Sequence, residues 1–160
     1  MTNITDPYQA LVSFQQALVL GNIELQPGAI DPELFVARDA PNGRMRLTYV
    51  RLDGLAVTAL ATIVHAEPMN ECPCFQIGYA VAESYRRQGR VTETVRAAFV
   101  EMQQGFKRAG ISTFYVEAVI GASDAASNGV ARRILSATPD PVTDSPSGEP
   151  AFHYIRKFEI

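Results

Sequence analysis

Hydrophobic positions along the chain change period several times, and each change marks an element. Leu11, Phe14 and Leu18 recur at helical spacing, with Val12 and Val19 beside them, so a first helix carries one apolar stripe. Asp6 stands before it as a cap, and Pro7 takes the first helical position, where a missing N–H leaves no bond unmade. Gln9 falls three residues after that cap, and Gly21-Asn22 ends the helix. Pro27, Gly28 and Pro32 make residues 23–33 a connecting loop, with a helical turn expected at Pro32–Phe35 and a strand within Leu34–Arg38. From Arg44 the period becomes two. Met45, Leu47 and Tyr49 alternate with Arg46, Thr48 and Val50, which predicts a half-exposed strand.

Asp53-Gly54 is a turn between two extended runs, so Leu55–His65 returns as the second strand of a hairpin. Glu67–Pro73 reads as a polar loop flanked by prolines, and Phe75–Ala82 as a further strand. The longest amphipathic helix follows, with Val91, Val95, Ala98, Phe99, Met102, Phe106 and Ala109 on one face. Phe99, Met102 and Phe106 are core residues on this reading. Thr113–Ile120 is rich in β-branched and aromatic residues and makes the next strand. Strand, loop, helix and strand form a βαβ unit, whose strands lie parallel through a right-handed crossover. Asp124 caps a last helix running to about Leu135, with Val130 and Ile134 facing in. Pro139–Pro150 is loop-like, and Ala151–Ile160 is the final strand. The order predicts an α/β chain built on one mixed sheet, with residues 1–160 in a single domain.

Composition narrows the class. The chain has 160 residues, 47% of them apolar, which is enough for a core. No apolar run reaches the length needed to span a bilayer, and Met1–Thr5 lacks the basic run of a signal peptide. Cys72 and Cys74 make no disulfide framework, and with two histidines they make a poor metal signal. A cytoplasmic, soluble protein without metal or membrane partner is expected. The net charge of −3 is unevenly spread. Residues 1–83 hold 4 basic and 9 acidic side chains, residues 84–110 hold 6 and 2, and residues 111–160 hold 4 and 6. An acidic chain with one short basic island is a poor nucleic-acid binder and a good candidate for a compact anion.

The island sits at the start of the long helix. Val81-Ala82-Glu83-Ser84-Tyr85-Arg86-Arg87-Gln88-Gly89-Arg90-Val91 ends a strand, turns, and opens a helix. The first N–H groups of a helix lack internal acceptors, and its dipole favours negative charge. Gly89 lets the backbone approach a ligand, so a phosphate or pyrophosphate fits here. An ordinary solvated helix start with surface arginines is the alternative. The stretch is not a Walker loop or a dinucleotide fingerprint, since their glycine and lysine spacings are absent.

Ile77-Gly78-Tyr79-x-Val81, then Tyr85-Arg86-x-x-Gly89, then Thr92-Glu93 resembles the GCN5-related N-acetyltransferases (the GNAT family), nearest to the ribosomal-protein N-terminal alanine acetyltransferases. A second block, Ala118-x-Ile120 followed by Asp124-x-x-Ser127-x-x-Val130, is similar to that family's Ala-x-Val and Asn-x-x-Ser-x-x-Val. The resemblance covers residues 75–135, the expected cofactor-binding core. It implies the acyl-CoA N-acyltransferase fold, a mostly antiparallel mixed sheet with splayed central parallel strands flanked by helices. It further implies acetyl-coenzyme A in that wedge, with backbone groups of Val81 and Ala82 on the pantetheine arm. Gln88, Gly89, Arg90 and Val91, followed by Thr92, would hold the pyrophosphate, with Arg86 and Arg87 adding charge. Asp124 and Ser127 would lie near the thiol end or the pantetheine arm.

Departures from the family pattern are as informative. Ala80 stands where that branch often has tryptophan, Val91 takes a small-residue position, and Asp124 replaces asparagine. Many relatives carry a tyrosine seven residues after that asparagine, placed to protonate the leaving thiolate. Counting from Asp124 gives Ala131, and counting from Asn128 gives Leu135. Neither donates a proton.

Three residues are candidates for the chemistry, each with a plain structural alternative. Glu117 is a base or a paired glutamate on the strand's outer side. His65 is a base or a surface histidine. Tyr79 lines the pocket or is an ordinary sheet tyrosine. Glu67 and Glu71 lie in the following loop, where they would attract a cationic acceptor. The expected activity is acetyl transfer from acetyl-coenzyme A to a primary amine, a small molecule or a protein N-terminus, by direct attack in a ternary complex. The alternative is a catalytically weak or inactive coenzyme-A-binding or interaction domain of the same fold. A homodimer is expected through an exposed Met45, Leu47 and Tyr49 edge and the final strand.

Overall fold

In the computed structural model, which describes residues 6–160, helix α1 spans Pro7–Val19. Met1–Thr5, where the absence of a signal peptide was read, lie outside the described residues. The Asp6 carboxylate accepts the Tyr8 N–H at 3.0 Å and caps the helix. Gly21, at φ 75°, lets the chain reverse, and its N–H and that of Asn22 take the last free carbonyls.

Eight strands follow the order β1-β2-β3-β4-β5-β6-β8-β7 in one sheet. They are β1 (Gln26–Pro27), β2 (Phe35–Asp39), β3 (Arg46–Asp53), β4 (Ala56–Met69), β5 (Cys72–Val81), β6 (Thr113–Gly121), β7 (Asp140–Thr143) and β8 (Pro150–Glu159). Every pair is antiparallel except β5 and β6, which are parallel as the βαβ reading requires. The crossover is α2, Arg90–Arg108, and α3 is Ala125–Ile134.

The two sheet faces are covered by different helices. On one face α2 and α3 bury Val95, Phe99, Met102, Ala131 and Ile134 against Ile63, Phe75, Ile77 and Val116. Phe114 is fully buried there and stacks on Phe158 with ring centres 4.6 Å apart. On the other face α1 sets Leu11 against Val50, Val57 and Leu60. This double cover corrects the half-exposed reading of β3, whose Leu47, Thr48, Tyr49 and Val50 are all buried. It also removes the expected dimer edge. β3 lies inside the sheet between β2 and β4, and Leu47 and Tyr49 are core residues.

Three connections differ from expectation. Glu67–Pro73 is no loop: β4 and β5 extend through it and join at a two-residue turn, Asn70-Glu71, with φ of 50° and 63°. Those positive angles match the turn whose twist suits a hairpin, and neither residue is β-branched. A register shift between Ala66 and Met69 lets the ladder carry Pro68. Pro32–Phe35 forms no helix: a single turn, with the Leu34 N–H on the Asp31 carbonyl at 3.1 Å, leads straight into β2, where Phe35 pairs with Val50. Within Pro139–Pro150, Asp140–Thr143 pairs with the start of β8.

Cys74 is fully buried, and its thiol is pushed up to about 11 by burial and then by the Glu117 charge. Iodoacetamide at pH 8 is therefore expected to label Cys72, which is part-exposed, and to leave Cys74 unmodified until the protein is denatured. Peptide mass spectrometry reads the difference, and equal labelling of the folded protein would contradict it.

Candidate functional site

The sheet opens where its parallel pair, the only one among the described residues, stops. β5 and β6 are paired over Cys74–Gln76 and Tyr115–Glu117, and beyond those residues the strands part. Residues 77–81 and 118–121 therefore face a wedge, with α2 starting beyond one arm and α3 beyond the other. The Ala82 N–H bonds Thr58 at 2.9 Å, so alternation turns the Val81 and Tyr79 N–H groups away from β4 and into the wedge. This corrects Ala82, whose backbone donor is already used and whose side chain packs on the α1 face.

A groove of about 650 Å³ runs along the first arm. It brings together Val81, Arg86, Arg87, Gln88, Gly89, Arg90, Val91 and Thr92 with Asp124 and Ser127, ten of the eleven cofactor residues expected from sequence. The local backbone explains the gathering. Arg87 and Gly89 both have positive φ, 63° and 70°, which folds the turn tightly before Gly89 caps α2. Glu93 is the first residue whose N–H finds a helical acceptor, Gly89 at 3.1 Å, so the preceding donors of α2 are free for an anion. Arg86 lies over the Tyr8 ring and Arg90 over the Tyr85 ring, which holds both near the groove. The helix start is pinned from behind: Arg51 binds Asp31 at 2.6 Å and also Glu93 in the first turn of α2. The Arg51 hydrogen bond holds the Asp31 carboxyl below its usual range.

Arg133 lines the same groove and escaped sequence reasoning. Its signal was the period of α3: Ala126, Gly129, Val130 and Arg133 share the groove-facing side. Among the described residues no carboxylate pairs with Arg86, Arg87 or Arg133.

A second cavity, of about 600 Å³, adjoins the first through Tyr79, Asp124 and Ser127, which line both. Its ionisable lining is Tyr79, Glu117, Asp124, Asp144 and His153, with no lysine or arginine. Glu117 accepts from Gln76 at 3.4 Å and meets His153 Nε2 at 2.9 Å. His153 was not singled out from sequence. Only the β6–β8 register, Val119 opposite His153 and Glu117 opposite Ile155, puts the two side chains diagonally on one face.

The remaining candidates separate cleanly. Tyr79 is both a sheet tyrosine and a cavity residue. Its hydroxyl donates to the Ser127 carbonyl at 2.6 Å, and burial raises it well above the ordinary phenol range. His65 is exposed and packs edge-on against Phe75 at 5.5 Å. It pairs with Phe75 and lines neither cavity, so it is a surface histidine apart from the site. Glu67 and Glu71 line neither cavity. At the two alternative positions counted for a proton donor, Ala131 and Leu135 are buried and apolar. The Asp124 carboxylate caps α3 by accepting the Ser127 N–H at 3.1 Å.

No family model and no curated protein matches this sequence. Solved structures do match. An apo form of RimL, a ribosomal L7/L12 alpha-N-protein acetyltransferase, aligns with TM-score 0.54 and 18% identity over 96% of this chain and 86% of that one. RimL in complex with coenzyme A aligns with TM-score 0.51 and 21% identity over 72% of this chain and 63% of that one. An acetyltransferase of the GNAT family from Streptococcus pneumoniae aligns with TM-score 0.53 and 8% identity over 71% and 66%. In the last two cases the chain spans less than two-thirds of its relative. The splayed parallel pair, the helix opening beyond each arm and these superpositions agree, and the chain has the fold of the GNAT N-acetyltransferases.

Proposed function

We propose that the protein transfers an acetyl group from acetyl-coenzyme A to a primary amine. One observation carries the reading: two adjoining cavities of opposite charge meet in the sheet wedge. The groove holds Arg86, Arg87 and Arg90 at the start of α2 and Arg133 of α3 against the carboxylates Asp6 and Asp124, and the adjoining cavity holds carboxylates and a histidine but no cationic side chain. A polyphosphate suits the first and an ammonium suits the second. The acidic first half of the chain adds a long-range pull on a cationic acceptor. A cytoplasmic setting fits this reading.

Acetyl-coenzyme A, when bound, supplies an activated acetyl thioester. This chain's residues do the rest. The N–H groups of Arg90, Val91 and Thr92 receive the pyrophosphate, with Arg86, Arg87 and Arg133 around it. The free N–H groups of Tyr79 and Val81 line the wedge edge, where one of them can stabilise negative charge on the carbonyl oxygen during attack. Amine and thioester are held together in one site, so no covalent enzyme intermediate is needed.

Isothermal titration with coenzyme A should show micromolar binding that weakens as salt rises. Labelled acetyl-coenzyme A, offered to N-terminal peptides, spermidine and an aminoglycoside, should yield an acetylated amine. Absence of coenzyme A binding overturns the reading. Binding without any acetylated amine, and with thiol release no faster than in buffer, selects the second reading, a coenzyme-A-binding module. Buried Ala131 and Leu135 favour that reading, since neither supplies an acid for the leaving thiolate.

A further inference from the structure

We propose that His153 is the base that takes the acceptor's proton, and that Glu117 is the residue that positions it. The inference rests on the transferase reading above. Both Glu117 oxygens are engaged, Oε1 by the Gln76 amide at 3.4 Å and Oε2 by His153 Nε2 at 2.9 Å. A carboxylate held in this way is an orienting group rather than a free base. With Nε2 as the donor to that carboxylate, the tautomer this assignment requires leaves the Nδ1 lone pair available. Nδ1 has no hydrogen-bond partner among the described residues, and it is not sealed from solvent. The pair is part-buried, with side-chain exposures of 25% and 16%, and lines the acidic cavity.

The protons balance as follows. The acceptor enters as R–NH₃⁺ and gives one proton to Nδ1. The amine nitrogen then forms the new C–N bond as the C–S bond breaks, and the sulfur leaves with its electron pair. The second nitrogen proton reaches the sulfur through water, and His153 returns the first to solvent. Other titratable groups facing the imidazole are Asp140, opposite it on β7, Asp144 in the β7–β8 loop, and Asp124 at the start of α3. The Asp140→Asn variant separates a neighbouring carboxylate's contribution from the imidazole's.

The test follows acetyl transfer from acetyl-coenzyme A to an alanine-starting peptide and to spermidine, from pH 5 to 10. His153→Gln should lower kcat/KM by roughly 10²-fold at pH 7 and remove the limb between pH 5 and 8. The deficit should shrink above pH 9, where the amine arrives deprotonated. Glu117→Gln should displace the limb, whereas Asp140→Asn should leave it in place. Coenzyme A affinity should stay at the wild-type value in all three. A His153→Gln enzyme with the wild-type pH profile overturns this inference and leaves the transferase standing. A wild-type protein that acetylates neither amine removes the transferase reading and the base with it. Nitrogen-15 spectra of histidine in the unmutated protein give an independent readout. The Nε2–H tautomer of His153 supports the assignment, and the Nδ1–H tautomer overturns it.

Discussion

Replacing Gly89 by valine should lower coenzyme A affinity at least tenfold while leaving the protein folded. Gly89 sits at φ 70° and caps α2, a backbone conformation that a β-branched residue adopts only under strain. Nothing lies within 4 Å of where its Cβ would stand, so the fold does not exclude the side chain. The new atoms enter the open groove instead, where the pyrophosphate needs close approach to the helix N–H groups. Gly110→Val is the control. Gly110 has φ 80° and equally open surroundings, but it follows the far end of α2. Both variants should lose about 1–2 kcal/mol of stability from backbone strain. Only Gly89→Val should lose affinity in titration calorimetry. Equal affinities for the two would remove the start of α2 as the anion site.

Asn128→Ala should produce the largest loss of stability, about 2–4 kcal/mol by urea denaturation. The Asn128 side chain is buried and makes three hydrogen bonds that leave no spare capacity nearby. Its amide donates to the carbonyls of Gly121 at 2.9 Å and Asp124 at 2.8 Å, and its oxygen accepts from Tyr154 at 2.5 Å. Alanine leaves the fully buried Tyr154 hydroxyl without its acceptor, whereas the Gly121 carbonyl, on an exposed residue, turns to water. Tyr154→Phe removes only one of these bonds and should cost about 1 kcal/mol. The double variant should lose less than the two single losses added together, because the orphaned hydroxyl goes with its ring. A loss below 0.5 kcal/mol for Asn128→Ala would show that the network does not hold α3 to β6 and β8.

That network also marks where sequence reasoning stopped. Asn128 entered it only as an alternative start for counting to a missing tyrosine. Its real role, joining α3 to β6 and to β8, depends on Tyr154 from 26 residues away. The errors share this origin. β3 alternates like a half-exposed strand, yet α1 and α2 cover opposite faces of the sheet, and a threonine is buried as readily as a leucine. Of the two readings left open for His65, its pairing with Phe75 selects the surface histidine. The loop read at Glu67–Pro73 became strand because a bulge accommodated the proline.

The sequence by itself determined what depends on neighbours within a turn or two. Asp6-Pro7 and Asp124 cap helices, Asp53-Gly54 reverses a hairpin, and the arginine-rich turn opens α2 at Gly89. These outcomes follow from dihedral preference, capping and periodicity, all of which act over a few residues. Tertiary structure alone decided the rest. Pairing β6 with β8 brought Glu117 to His153, and the early end of the β5–β6 ladder opened the wedge between two cavities. Packing α3 against the sheet turned Arg133 toward the groove. Such contacts join residues tens of positions apart, and their register is set by whole-sheet packing, which no local window of sequence contains.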